Sequence, residues 1–253
     1  HPPLLQELLA ARGVTTAEEA EKFLNPDYVR DTHDPFLLKD MSKVVERILR
    51  AFLADEKIII FSDYDADGIP GAVVLHDLFK KIGYTNFENY IPHRHDEGFG
   101  LNVEAVKKFA AGGVAGSAGK NAGAKLIITI DCGIADVEPA RLAHELGMDL
   151  IITDHHEALE VLPEAYAILN PKQPGCEYPE KMLCGAGVIF KLAQAILTEI
   201  RGGENAAAGE NSDTVKKIRE KFLATTKITN GWEKWLLDMV GLATLSDMVP
   251  LTG

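Results

Sequence analysis

The chain has 253 residues, of which 46% are hydrophobic and 25% are charged, and its formal net charge is −12. This composition fits an ordinary soluble globular protein with one large or two modest cores, and no apolar run is long enough to cross a membrane. The acidic balance argues against nucleic-acid binding by bulk electrostatics, although metal ions in a carboxylate cluster would neutralise part of it locally.

The cysteine pattern and the first residues of the sequence indicate in which cellular compartment the protein is expected. Cys132, Cys176 and Cys184 are odd in number and lack Cys-x-x-Cys spacing. This pattern indicates a reducing compartment such as the cytoplasm, and it argues against a zinc or disulfide framework. The sequence starts at His1 without a signal-peptide pattern, so we expect it to be a trimmed part of a longer protein.

Three helices are predicted before the first strand. The first ends at Gly13, the second begins at a capping box formed by Thr16 and Glu19, and the third is an amphipathic helix from about Met41 to Leu53. None of these helices has a side-chain pattern typical of a catalytic or binding site. We therefore predict that residues 1–55 form a helical layer packed on the core and that residues 56–253 hold the functional site.

An acidic turn, FSDYDADG at 61–68, follows the first predicted strand and precedes a predicted helix whose first turn contains Pro70. It places Asp63, Asp65 and Asp67 within five positions. Carboxylates this close repel one another, and hard divalent metals offset that repulsion by taking several oxygen ligands. An acidic turn that only caps the helix is the alternative, but three aspartates after a buried strand favour a metal site.

Four more strands are predicted, at 87–91, 125–130, 149–153 and 165–169, and they alternate with helices or turns. Such alternation predicts an α/β fold with a parallel sheet of five or more strands and helices on both faces, similar to a Rossmann fold. Parallel strands end at one edge, so a set of polar side chains can converge there: Asp63, Asp65, Asp67, Asp131, Asp154, His155 and His156. Taken singly, Asp131 and Asp154 would most often be caps, and adjacent histidines on a loop are more often solvated.

Several further residues are candidates for the same edge. His155 and His156 are adjacent, and two adjacent imidazoles cannot point the same way from an extended backbone, so we expect one of them on metal and the other turned toward substrate. Arg94, in a loop after the second strand, could bind a phosphate through two hydrogen bonds, although an exposed arginine often has no specific binding role. Gly185 and Gly187 open a predicted helix whose free N–H groups could receive phosphate, although close packing is as good an explanation.

The last predicted helix, from Trp232 through Leu245, ends just before Asp247, which could be delivered to the same site. Two stretches rich in Gly and Ala, 112–124 and 202–212, are predicted to be loose surface loops without a catalytic role.

Four ordered motifs resemble those of the DHH phosphoesterase superfamily: DYDADG (63–68), IDCG (130–133), TDHH (153–156) and LSDMVPL (245–251). The connecting segments HRHDEGFGLN, ILNPK and LCGAGVIFKLA, together with RGVTTAEEAEKFLNP near the start, resemble the RecJ-type branch of single-strand exonucleases. The resemblance covers nearly the whole chain. It implies that residues 56–253 are a DHH catalytic domain, and that the family's C-terminal substrate-binding domain is absent from these residues.

The resemblance also implies a site with two Mn²⁺ or Mg²⁺ ions. Its metal ligands would be Asp63, Asp65, Asp67, Asp131, His155 and Asp247, with Asp131 bridging the ions. Asp154 would orient its neighbours, and His156 would face the scissile phosphate. The implied activity is two-metal hydroxide attack on single-stranded DNA, 5′ to 3′, releasing 5′-mononucleotides in DNA repair and recombination, alongside repair or replication partners.

Two alternatives stay open at this point. The first is another DHH phosphodiesterase activity, on short oligonucleotides, cyclic dinucleotides or pyrophosphate. The second is a non-catalytic replication-associated homologue, which the intact set of aspartates and His155 disfavours because such relatives lack several ligands.

Overall fold

The computed structural model describes residues 1–112, 123–202, 213–218, 220–221 and 228–251. Most of the two stretches that we predict to be loose loops, 113–122 and 203–212, lie outside the described residues.

A five-stranded parallel sheet forms the centre of the fold. Its strands are β1 (Ile58–Ser62), β2 (Phe87–Tyr90), β3 (Leu126–Ile130), β4 (Asp149–Thr153) and β5 (Ala167–Leu169), in the order β2-β1-β3-β4-β5. The predicted fold class and the number of strands are confirmed. All five positions of β1 and of β3 are buried, which explains why these runs consist almost entirely of β-branched and other apolar residues.

The register of the three central strands aligns their carboxyl ends. Ser62 is paired with Ile130, and Ile130 is paired with Thr153. The next residue on each strand continues the ladder, since the N–H of Asp63 donates to Ile130 O and the N–H of Asp131 donates to Thr153 O. The first carboxylates after β1, β3 and β4 therefore lie side by side at one edge.

Helices cover both faces of the sheet, as predicted. The helices are α1 (Pro3–Ala10), α2 (Ala17–Leu24), α3 (Met41–Ala54), α4 (Gly68–Ile82), α5 (Val103–Ala110), α6 (Val137–Glu145), α7 (Gly185–Arg201), α8 (Asp213–Ile218) and α9 (Leu237–Ser246). One face packs against α3, α4 and α7, and the opposite face packs against α5 and α6. No helix in the described ranges is both long and apolar enough to span a bilayer.

The first helices differ in how they pack. The capping box of α2 is present, with Thr16 Oγ1 accepting from the N–H of Glu19. Leu9, Val14 and Ala20 form a small apolar cluster of their own, whereas α3 contributes buried residues such as Phe52 to the main core.

Two elements depart from the predictions. Helix α5 has no predicted counterpart, although Asn102 caps it by accepting from the N–H of Ala105. The predicted helix from Trp232 is not a single α-helix, because Trp232–Leu236 is a 3-10 turn and α9 begins only at Leu237. Gly231, with φ +80°, starts that turn, and Lys234 N–H bonds back to its carbonyl.

Candidate metal centre

The turn between β1 and α4 is folded tightly around its aspartates. A Cβ on Gly68 would lie 2.6 Å from the carbonyl oxygen of Asp63, so only glycine allows this approach. Asp65 Oδ1 accepts from the N–H groups of Asp67, at 2.8 Å, and Gly68, at 2.9 Å. Burial opposes ionisation of Asp65, but these backbone donors outweigh it and lower its pKa. Asp65 is thus a helix cap as well as a member of the acidic cluster.

Asp67 joins the acidic turn to the start of α7. Its side chain is buried, with Oδ2 accepting from Gly185 N–H at 2.5 Å and Oδ1 accepting from Ala186 N–H at 2.7 Å. Burial raises the pKa of Asp67 in spite of these two donors. The carboxylate therefore receives the N-terminal N–H groups of a helix that begins 118 residues later in the chain.

Those contacts bear on the glycines predicted to bind substrate. The Gly185 N–H is already engaged by Asp67, and a Cβ on Gly185 would lie 2.7 Å from the Cβ of Asp131. Gly187 is buried, and a Cβ on Gly187 would lie 3.3 Å from Leu183 Cδ2. Close packing accounts for both glycines, and phosphate binding by either stays a prediction that no contact in the structure supports.

Asp131 lies close both to His155 and to the aspartates of the acidic turn. It is buried, its φ is +60°, and its Oδ1 lies 3.1 Å from His155 Nε2. Within the described residues no donor makes a hydrogen bond to Asp131 Oδ1, and the same holds for Asp63 Oδ1. Burial, together with the negative charges of Asp67 and Asp65, raises the pKa of Asp131 strongly. Two buried carboxylate oxygens of the cluster thus receive no hydrogen bond from the residues that the structure describes.

Asp154 orients the chain that carries both histidines. Its Oδ1 accepts from the N–H of His155 and from Nδ1 of His156, each at 2.7 Å, and its Oδ2 accepts from the N–H of Ile134 at 2.9 Å. Burial opposes ionisation of this carboxyl, but the His156 ring and the backbone donors lower its pKa. These contacts are the ones that an orienting residue would make.

The two histidines occupy different depths of the same site. The His155 ring is buried, with Nε2 3.6 Å from Asp67 Oδ2 and Nδ1 3.6 Å from Asp247 Oδ2, whereas 48% of the His156 side chain is exposed. The prediction that they point apart is wrong, since their ring centroids lie 4.5 Å from each other. The backbone leaves the strand geometry at Thr153, so the alternation of an extended chain does not apply.

The predicted metal ligands converge. In the described part of the chain, three overlapping groups have ligand atoms within 4.8 Å of one another: Asp63, Asp65 and Asp131; Asp67, His155 and Asp247; and Asp131, His155 and His156. Asp247 reaches this cluster from the C-terminal end of α9, and 35% of its side chain is exposed. All six predicted metal ligands therefore belong to one cluster at the carboxyl edge of the sheet.

The rim of the site contains Arg94, a predicted phosphate-binding residue, and two aromatic residues, Tyr64 and Phe99, for which no role was predicted. Arg94 is exposed, and its guanidinium lies 4.9 Å from the ring centre of Tyr64, which separates two aspartates of the acidic turn. Phe99 presents an edge-to-face contact to His156, with ring centres 6.1 Å apart. An aromatic residue between two glycines in the segment 98–100 was the available sequence signal for Phe99.

The comparison with family models decides the family. Residues 57–224 match the model described as the DHH family, N-terminal domain. The chain belongs to the DHH family. The match starts at the strand before the acidic turn, and it contains the segments that carry Asp63, Asp131, Asp154 and His155.

Among curated proteins, this DHH-family chain is similar to single-stranded-DNA-specific exonucleases named RecJ. It is 45% identical over 227 residues to that of Bacillus subtilis, covering 88% of the chain and 27% of the relative. It is 33% identical over 250 residues to that of Escherichia coli, covering 99% of the chain and 38% of the relative. A crystal structure of exonuclease RecJ bound to manganese is similar at a TM-score of 0.55 and 28% identity, covering 74% of this chain and 48% of that one. The chain spans well under half of the length of these curated relatives.

Proposed function

We propose that this DHH domain is a metal-dependent phosphodiesterase that hydrolyses single-stranded DNA. One observation carries the proposal: in the described part of the chain, no donor bonds to a buried oxygen of Asp63 or of Asp131, and both residues belong to a cluster of carboxylates. An unpaired buried charge is strongly unfavourable, so such an arrangement is stable only with protons or cations among the carboxylates.

The donor set fits two divalent ions. The proposed ligands are Asp63, Asp65, Asp67, Asp131, His155 and Asp247. We propose Asp131 as the shared ligand because, among the described residues, it is the carboxylate that belongs to two of the three groups. Carboxylates with one imidazole suit Mn²⁺ or Mg²⁺ better than a metal that prefers thiolates. The RecJ structure similar to this chain is bound to manganese, which supports the same choice. A bound pair of such ions supplies a nucleophile at neutral pH and offsets charge on the attacking and leaving oxygens.

The protein's own side chains would orient the phosphodiester. Asp154 accepts from Nδ1 of His156, which fixes the ring and leaves Nε2 as the nitrogen that can meet a substrate oxygen. This bond raises the pKa of His156, although burial opposes the rise, so the ring is more readily a cation that donates to a phosphate oxygen. Arg94, exposed at the rim, is proposed to bind a phosphate group.

The substrate class comes from the relatives. The curated proteins similar to this chain are named single-stranded-DNA-specific exonucleases, so we propose single-stranded DNA as the substrate. The proposal of 5′ to 3′ polarity and 5′-mononucleotide products rests on the resemblance of the sequence motifs to the RecJ-type branch. We further propose a role in repair or recombination with protein partners in a reducing compartment such as the cytoplasm, which the free thiols of Cys132, Cys176 and Cys184 support. Residues 56–253 are proposed as the catalytic domain and residues 1–55 as a helical layer.

The test is hydrolysis of a 5′-phosphorylated, 3′-labelled single strand in Mn²⁺, with a duplex of the same sequence beside it. Release of 5′-mononucleotides from the single strand, abolished by EDTA and by Asp131→Ala, is the expected result. Faster turnover of dinucleotides or cyclic dinucleotides than of the long strand would replace the proposed substrate with a smaller phosphodiester. No hydrolysis of any of these by a chain that binds Mn²⁺ would refute the catalytic proposal.

A further inference from the structure

The loop that follows β2 brings an exposed aromatic ring to the edge of the site. Phe99 is 58% exposed, and its ring meets that of His156 at an angle of 86°. This inference rests on the proposed function, in which His156 faces a phosphate. Phe99 would then lie beside the base or sugar of the same nucleotide. Base stacking on an aromatic side chain is a common means of holding single strands.

The backbone around Phe99 has little stiffness of its own. Gly98 and Gly100 flank it, with φ values of +77° and +78°. These conformations suit glycine, and glycine is also the residue that restricts the backbone least. A phenylalanine carried between two glycines keeps one position only if contacts outside the turn hold it.

Two carboxylates from different elements supply such contacts. On one side of the turn, Glu97 Oε1 accepts from His93 N–H at 3.0 Å, and Glu97 Oε2 accepts from Tyr90 OH. On the other side, Asp136 Oδ2 accepts from Leu101 N–H at 2.7 Å. Asp136 also abuts the turn itself, since a Cβ on Gly100 would lie 2.8 Å from Asp136 Oδ2.

The position of Asp136 in the chain makes this contact informative. Asp136 is the residue before α6, where an aspartate ordinarily accepts from the first N–H groups of its own helix. Its side chain makes no such cap and instead bonds to a loop 35 residues earlier. The carboxylate therefore connects the Phe99 turn to the segment that follows β3, which carries Asp131 five positions before Asp136.

We propose that Asp136 is a positioning residue that holds the turn at Gly98 to Gly100 so that Phe99 stands beside His156 and receives a nucleotide of the single strand. The competing explanation is purely structural: Leu101 is buried, and Asp136 would only satisfy its N–H group. The two explanations differ in whether loss of Asp136 acts on the substrate through Phe99.

The first experiment measures amide hydrogen exchange of the protein without DNA, so it does not depend on catalysis. Asp136→Ala should accelerate exchange across residues 98–101, and Asp136→Asn should restore slow exchange because its amide oxygen still accepts from Leu101. Asp27→Ala is the matched control, since the Asp27 carboxylate also accepts from backbone N–H groups, those of Val29 and Arg30, but in the segment after α2. Unchanged exchange at 98–101 in Asp136→Ala would overturn the proposal.

The second experiment is a double-mutant cycle on a 5′-phosphorylated oligo(dT) strand in Mn²⁺. We expect KM to rise about tenfold in Phe99→Ala and about fivefold in Asp136→Ala, with kcat within about twofold of the wild type. The double variant should match Phe99→Ala, because Asp136 acts through the ring. A multiplicative rise of about fiftyfold, or an unchanged KM in Asp136→Ala, would overturn the proposal.

Binding of the same strand in EDTA separates this inference from the proposed reaction. If the wild type does not hydrolyse DNA, the proposed function fails, and the affinities of the same four proteins decide the role of Asp136. The proposal is upheld if Asp136→Ala weakens binding in the wild-type background but does not weaken it further in the Phe99→Ala background. Equal affinities in all four would overturn it.

Discussion

Asp67 and Asp131 belong to one carboxylate cluster but have opposite hydrogen-bond environments, so neutralising them should change stability in opposite directions. Asp67 accepts two backbone N–H groups at the start of α7, whereas Asp131 Oδ1 receives no hydrogen bond from the described residues. The informative substitutions are Asp67→Asn and Asp131→Asn, because each replaces an ionisable carboxyl with a neutral amide and changes the side-chain size very little.

The expected size follows from those contacts. A hydrogen bond to a charged group contributes roughly 1.5–3 kcal/mol. An asparagine at 67 can accept from only one of Gly185 and Ala186, and its NH₂ group would face the other buried N–H. Relief of repulsion from Asp247 offsets part of this loss. We expect Asp67→Asn to lower the free energy of unfolding by about 2 kcal/mol in EDTA.

Asp131→Asn should have the opposite effect without metal. The substitution removes a carboxyl whose ionisation is opposed by burial and by the charges of Asp67 and Asp65, and asparagine tolerates the φ of +60° at this position. We expect the free energy of unfolding in EDTA to rise by about 1 kcal/mol.

Urea unfolding followed by circular dichroism, in EDTA and in excess Mn²⁺, measures both effects. At a free Mn²⁺ concentration of about 100 times its Kd, the wild type should gain about 2.7 kcal/mol for each bound ion, and both variants should gain much less. Asp34→Asn is the control, since Asp34 accepts from Phe36 N–H far along the chain from the site. The reasoning fails if Asp131→Asn destabilises the metal-free protein as much as Asp67→Asn does, or if Mn²⁺ stabilises it as it stabilises the wild type.

Three further predictions concern single side chains. His156→Ala should lower kcat by about a hundredfold or more, because the half-exposed ring is proposed to act on the substrate. The Mn²⁺ affinity measured by calorimetry should change little, and loss of Mn²⁺ binding would contradict the proposed role of His156. Arg94→Lys should raise KM for a 5′-phosphorylated strand about tenfold without affecting a strand that lacks the phosphate, because an ammonium does not reproduce a bidentate guanidinium contact; equal effects on both strands would exclude the phosphate contact. Burial lowers the pKa of Lys191 from 10.5 to about 8, so between pH 8 and pH 10.5 the unfolded state binds more protons than the folded state. The free energy of unfolding of the wild type should therefore rise with pH in this range, and denaturant unfolding at pH 7 and pH 9.5 should show the rise relative to Lys191→Met. An equal change in the two proteins would contradict this prediction.

The strands and the carboxylates at their ends were predictable because both signals are local. Apolar runs such as 58–61 and 126–130 are typical of strands buried on both faces, and a parallel sheet brings Asp63, Asp131 and Asp154 to one edge whatever the loops do. The convergence of these three carboxylates follows from that topology alone.

The contacts that define individual roles were not predictable from local sequence. A glycine-rich helix start is equally suited to a phosphate and to a carboxylate, and only the fold shows that Asp67, 118 residues away, takes the N–H of Gly185. Asp136 resembles an ordinary helix cap in sequence, yet its carboxylate bonds to Leu101. Helix α5 is short and precedes a Gly- and Ala-rich stretch, so its apolar spacing gave a weak signal.

The central claim is that the carboxyl edge of this sheet holds two catalytic metal ions, and anomalous diffraction from Mn²⁺-soaked crystals tests it most directly. The account predicts two anomalous peaks, about 3.5–4 Å apart. They should lie among Asp63, Asp67, Asp131, His155 and Asp247, and both should disappear or weaken in Asp131→Asn crystals. Manganese peaks elsewhere on the protein, with none in this cluster at saturating Mn²⁺, would contradict the account.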